Sequence, residues 1–299
     1  DMSDFLDKID KWVRDTEKFI VDKMASIKQV LATSERSLLG RLLAELAPEL
    51  EYKDGELRVT TRNLARLQIL ERVMAEFAGD EAKALTERFA VDLLEVAGRN
   101  ESYYLLAGFE DAKVKAITED TALIRARIGL DEKGRILKGG YLDRLAAAPE
   151  ARQKILDYVV NSMASRKGPK AFVTGLKELV QGGAKSEGVI TKHWDGAAFD
   201  SYNQVREISN LHMANELELN YFVYTGGVID STRRFCEKRN RKVFSRAETA
   251  NWKNDPDLID PATKDTYNPL IERGRYNCRH FIMWISDQRA KELRPDIDG

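Results

Sequence analysis

Positions Ile9, Val13, Thr16, Ile20, Met24, Ile27 and Leu31 step by three or four with charges between them. That spacing lays one stripe along an amphipathic helix and predicts helix over 3–47. Thr33 or Ser34 is expected to cap a second helix running through Leu46, with Pro48 following. The stripe either packs on the chain's own helices or docks on a partner. "LEYKDGELRVTTRN" then alternates around Asp54-Gly55, a hairpin signal because glycine accepts positive φ. Thr60 or Thr61 can cap the helix "LARLQILERVMAEFA". Helical patterning continues through "EAKALTERFAVDLLEVAG" and "SYYLLAGFEDAKVKAITEDTALIRARIG". A second hairpin is expected around Lys133-Gly134, then helices at 150–164 and 169–180 and a loop at 181–188. "ITKHWDG" reads as a loop before a helix on which Phe199, Tyr202, Val205, Ile208, Leu211 and Asn215 share a face.

The texture changes at Asn220. "NYFVYTGG" is a strand-like run of aromatic and β-branched residues, and "HFIMWIS" reads as a final strand. The expected fold is mainly α: an elongated helical N-terminal and middle region with short hairpins, followed by a small α+β C-terminal module. The segments are 1–130, 131–219 and 220–299.

Charge is nearly balanced, 48 Lys+Arg against 49 Asp+Glu, so no global field draws the chain to nucleic acid or an anionic membrane. No apolar run reaches the roughly 18 residues of a membrane span, so no membrane partner is expected. "DMSDFLDKIDKW" lacks the basic and apolar regions of a secretory signal. Two cysteines make no disulfide framework, and synthesis in a reducing cytoplasm is the expectation.

The candidate chemistry lies in two blocks, "YTGGVIDSTRRFCEKRNRKVFSRAETANW" and "YNPLIERGRYNCRHFIMWIS". Three readings of Cys236, Cys278 and His280 compete. They are zinc-compatible ligands, with His212 or an Asp as a fourth, although structural zinc usually takes paired ligands on each side. They could supply a thiolate nucleophile and its base, with Arg233, Arg234 and Arg279 lowering a thiol pKa, but no oxyanion motif or acidic orienter is evident. Or the cysteines are small buried groups stitching the two blocks together, the reading preferred here. His193 and His212 carry no motif, and no phosphate loop, metalloprotease or dinucleotide fingerprint is present.

From Arg233 to Arg246 seven basic residues face one acid, Glu237. On a helix from about 232 to 242, Arg234, Lys238 and Arg241 would form a stripe. Arg233, Lys238, Arg239, Arg241 and Lys242 are the candidate DNA contacts; the competing reading is a face paired with the acids at 255–265.

Taken together, the blocks resemble the phage Mu protein F-like minor head proteins, also called phage head morphogenesis proteins. The first block offers Tyr224, Gly226, Gly227, Asp230, Ser231, Arg234, Phe235 and Cys236; the second offers Pro269, Arg273, Gly274, Tyr276, Asn277, Cys278, Arg279 and His280. Glu248 and Trp252 between them, and Asp200, Asn203 and Gln204 before them, fit as well. Arg233 beside Arg234, and Arg275 where a second glycine is common, depart from the pattern. The resemblance covers roughly 130–286. It implies a structural virion protein made in a bacterial host, present in few copies, bound to the portal and other head proteins, with self-association and contact with packaged double-stranded DNA among its expected interactions. It implies a role in head morphogenesis and in DNA retention or delivery. No enzymatic activity is general to the domain; for this chain no cofactor is expected, zinc being the one the residues leave open. Some relatives append a toxin domain; with nineteen residues after His280 in this sequence, an effector role is not expected. Outside the resemblance, a Cys/His-dependent enzyme and a metal-stabilised nucleic-acid-binding module remain the alternatives.

Overall fold

The computed structural model describes residues 2–184, 186–259 and 266–297, and the fold is mainly α. Helix α1 spans Met2–Arg41 without a break, so the expected second start at Thr33 or Ser34 does not occur. The Thr33 hydroxyl donates back to the Gln29 carbonyl at 3.3 Å, inside the helix it was expected to interrupt. The ladder loosens only near Pro48, through a π turn at Leu42–Leu46 and a 3₁₀ turn at Ala47–Glu49.

Strands β1 (Tyr52–Lys53) and β2 (Glu56–Leu57) pair around Asp54 and Gly55, whose φ values of 54° and 76° fit a two-residue hairpin turn. Thr60 accepts the Asn63 N–H at 3.0 Å and starts α2 (Thr61–Gly79). Then follow α3 (Glu81–Gly98), α4 (Asn100–Leu106), α5 (Asp111–Glu119) and α6 (Ala122–Ile128). The second expected hairpin is reduced to one bridge, Leu130 to Ile136. Asp131 takes the N–H groups of Lys133 and Arg135 at 2.9 and 2.8 Å, so a side chain closes this turn in place of a ladder. Helices α7 (Tyr141–Ala147), α8 (Pro149–Ala164) and α9 (Pro169–Gln181) follow, and the expected loop at 181–188 carries a short ladder, β3 (Gly182–Gly183) with β4 (Ser186–Glu187).

Helix α10 runs Val189–Glu216, so His193 is helical and not in a loop. The buried Glu35 carboxylate accepts the Thr191 N–H at 2.7 Å, and this cap from α1 starts the helix before the local sequence would.

The chain forms two compact units from interleaved stretches, not the consecutive segments 1–130, 131–219 and 220–299. One comprises 24–91 and 128–198. Ile27, Leu31, Leu42, Leu70, Phe77, Phe89, Ile155, Phe172 and Trp194 lie in its core. The other comprises 1–23, 92–127 and 199–299. Its centre is an antiparallel sheet in the order β6-β5-β7: β5 is Tyr221–Gly226, β6 Lys242–Ser245 and β7 His280–Ile285. Both expected strands form, and β7 is buried along its whole length. One face, with Phe222 and Tyr224, packs on Trp252. The other carries Phe281 against Trp12 of α1. Ile9 and Val13 belong to this core, and Ile27 and Leu31 to the other; the stripe on α1 is therefore the chain's own core and not a docking face. Between the strands lie α11 (Arg234–Glu237), a 3₁₀ turn at Ala247–Asn254 and α12 (Pro269–Glu272); α13 (Asp287–Leu293) follows β7.

Candidate functional site: a buried cysteine and histidine cluster

The strand register builds the site. Gly226 on β5 pairs with His280 on β7, two residues past Cys278. A Cβ on Gly226 would stand 2.6 Å from the His280 Cα, so only glycine lets the strands close there. Two residues back on the same face, Tyr224 stacks on the His280 ring, with centroids 5.2 Å apart. Cys236 arrives from α11 on that side. Its Sγ lies 3.8 Å from Cys278 Sγ, too far for a bond; both thiols are free and buried. The Tyr224 hydroxyl donates to Cys236 Sγ at 3.3 Å and lies 3.7 Å from Cys278 Sγ. Ligand atoms of Cys236, Cys278 and His280 all fall within 4.8 Å of one another.

Gly274 closes the remaining side. A Cβ there would meet Cys236 Sγ at 2.4 Å and Cys278 Sγ at 3.2 Å. The loop past it is tightly wound: Arg273, Arg275 and Asn277 all have positive φ. Arg275, at 68°, holds a backbone conformation that glycine would adopt more easily. Arg233 ties the two blocks by donating to the carbonyls of Gly274 and Tyr276.

Behind the thiols lies a buried ionic group that the sequence did not reveal. Arg206 and Glu207 of α10 are in contact and wholly buried. Arg273 Nη1 sits 3.0 Å from Glu207 Oε1 and donates to the His280 carbonyl at 3.0 Å. Asn210 donates to Glu207 at 3.1 Å and to the Ile282 carbonyl at 2.6 Å, while Tyr104 donates to Asn210 Oδ1 at 2.8 Å. Asn203, Glu207 and Asn210 recur at i, i+4, i+7 on α10. That spacing was the available signal, but polar residues so spaced read as a solvated face. Two guanidinium groups against one carboxylate leave a net positive charge beside the sulfurs.

The two thiols shift in opposite directions. The hydrogen bond from Cys236 holds Cys278 well below the usual thiol range against the opposing effect of burial, with His280 and Arg273 adding to the shift. The same hydrogen bond, reinforced by burial, pushes Cys236 up. The two shifts share one cause, the contact between the sulfurs, and run in opposite directions.

Among the other motif residues, Asp230, Ser231 and Arg234 are exposed; Gly227 is half-buried. The Asn277 N–H donates to Asp200 at 3.0 Å, and Arg279 pairs with Glu17 at 3.0 Å. His212, the suggested fourth ligand, lies 3.9 Å from Asp120 and has no part in the cluster; His193 pairs with Glu150.

The expected basic stripe does not form, because α11 ends at Glu237 and Arg241, at φ 59°, turns the chain into β6. Arg239 is buried: it donates to Asp255 and the Phe235 carbonyl and lies over the Phe235 and Trp252 rings. Lys238 pairs with Asp255 and Asp257, and Arg241 with Asp7 and Asp10. The face paired with acids is thus the one observed at Asp255 and Asp257; the acids at 260 and 265 lie outside the described residues. Arg234 is exposed and lies 3.9 Å from Asp257, and Lys242 is exposed as well.

No helix among the described residues is long and apolar enough to cross a membrane. No family model, no curated protein and no solved structure matches the chain.

Proposed function

We propose that the chain is a structural minor head protein of a tailed bacteriophage, of the Mu F-like head-morphogenesis type. It works at the portal, in assembly of the head and in retention or delivery of its DNA. One observation carries this reading. The two sequence blocks that bear the resemblance, 42 positions apart at their cysteines, close into a single buried knot of Tyr224, Gly226, Cys236, Gly274, Cys278 and His280. Catalytic cysteines sit in partly exposed positive surroundings, whereas Cys236 and Cys278 are 2% and 3% exposed, which supports a structural role over a nucleophilic one.

The motif divides by burial. Its cysteines and His280 hold the fold, while Asp230, Ser231 and Arg234 are exposed and are the residues we assign to partner contact.

The test is co-expression of the chain with the portal and capsid proteins of its own phage, followed by mass spectrometry and cross-linking of purified particles. The expected result is a low-copy component cross-linked to the portal. An Asp230→Ala/Ser231→Ala/Arg234→Ala variant should melt like the parent yet be lost from particles. Particles that assemble and package normally without the chain would overturn the reading.

A further inference from the structure

We infer that Cys236, Cys278 and His280 form a binding site for a thiophilic divalent cation of the zinc type, with the Tyr224 hydroxyl at the fourth corner. The inference rests on the geometry of the cluster and stands independently of the virion reading.

The distances carry it. Two thiolates about 2.3 Å from a tetrahedral zinc lie about 3.8 Å apart, and Cys236 Sγ and Cys278 Sγ are 3.8 Å apart. A sulfur and an oxygen ligand on the same ion are separated by about 3.5 Å; the Tyr224 hydroxyl lies 3.3 and 3.7 Å from the two sulfurs. The corresponding sulfur-to-nitrogen edge is about 3.6 Å. With all three ligand atoms inside 4.8 Å, a shift of about an ångström brings the imidazole into place.

Chemistry agrees with geometry. The ligand set is soft, two sulfurs and an imidazole, which selects zinc over magnesium or calcium. His280 is 2% exposed and its Nε2 has no hydrogen-bond partner, so a ring nitrogen is available. Cation binding needs both thiols deprotonated. The ion therefore displaces the thiol protons as it enters, and its uptake should release them to solution. Two thiolates neutralise a divalent ion, so a desolvated site need hold no extra charge on its account. The ligands come from α11, from the loop before β7 and from β7 itself, so the ion would join chain segments that only tertiary structure brings together.

The full chain should be purified without chelator from zinc-supplemented cells and its metal measured by mass spectrometry, with stoichiometric zinc expected. Exchange for cobalt should give the intense visible bands of a tetrahedral site and a thiolate-to-cobalt charge-transfer band. Cys278→Ser and His280→Ala should each lose the ion. Should either fail to fold, the cobalt titration of the parent protein decides alone. Tyr224→Phe should keep the ion with an altered cobalt spectrum. The proposal fails if the metal-free parent shows no charge-transfer band on titration and its thiols stay equally reactive with and without zinc. It fails equally if the isolated protein carries no metal and a mass short by two hydrogens, the mark of a Cys236–Cys278 disulfide.

Discussion

Glu207 Oε1 lies 3.0 Å from Arg273 Nη1, with both side chains removed from solvent. Arg273 in turn holds the His280 carbonyl, so α10 and the loop before β7 are joined through one carboxylate. Glu207→Ala leaves Arg206 and Arg273 buried without a counter-charge. Removing one partner of a buried pair costs about 3–5 kcal/mol, and denaturant unfolding should register a loss of that size. A loss below about 1 kcal/mol would show that water reaches the two guanidinium groups.

Gly274→Ala tests the cluster from the side that carries no ligand. The new methyl group would stand 2.4 Å from Cys236 Sγ and 3.2 Å from Cys278 Sγ. Overpacking of this kind costs about 1–3 kcal/mol. Denaturation should show that loss, and the displaced thiols should react faster with a modifying reagent than they do in the parent.

Arg239→Ala separates a DNA contact from a structural one. Its guanidinium binds Asp255 and covers two aromatic rings, so the variant should lose about 1–3 kcal/mol of stability and leave retention on DNA unchanged. Lys242→Ala, at an exposed position, should do the reverse, lowering retention steeply at low salt and regardless of base sequence if this surface holds phosphate. Equal retention of both variants and the parent across a salt series would remove this surface from any DNA contact.

Acid should weaken the same corner. Burial alone would raise the Asp255 pKa, but hydrogen bonds from Lys238 and Arg239 outweigh it and lower the group from 3.8 to about 2. The folded state therefore binds this proton less tightly than the unfolded chain does. The stabilisation is complete above pH 3.8 and falls away as pH drops toward about 2. Asp255→Asn should be less stable than the parent at neutral pH and should lose less on acidification through that window, as followed by urea midpoints at a series of pH values.

Charge at Ile20 or Ile27 should unfold the isolated protein. Both are 2% exposed, so Ile20→Asp and Ile27→Asp each bury an uncompensated carboxylate or expel the helix from its core. Circular dichroism would show the loss of helix. Variants that keep the parent's melting curve would mean that α1 packs elsewhere.

What could be read from sequence was local. Asp54-Gly55 and Thr60 specify a turn and a cap within a few residues of themselves, and "NYFVYTGG" and "HFIMWIS" carry their strand character in their own side chains. The features that escaped depend on distant partners. The cap of α10 is Glu35, 156 positions from the Thr191 it holds. Glu207 and Asn210 look solvated on a helix until β7 and Arg273 cover them. Cys236, Cys278 and His280 were legible as candidates because their chemistry is rare in this chain. Their convergence was not legible, since it requires Gly226 to pair with His280 across β5 and β7.

The sheet's core is drawn from three separate stretches. Phe5, Ile9 and Trp12 come from the first, Tyr103 and Tyr104 from the second, and the strands from the third. A recombination event that exchanged residues 220–299 alone would deliver a sheet with one face stripped of its cover. Successful exchange must carry matching residues near both 12 and 104, two places far apart in the gene. Residues 220–299 placed in another chain would therefore need an equivalent cover for that face of the sheet, even with the cysteine blocks intact.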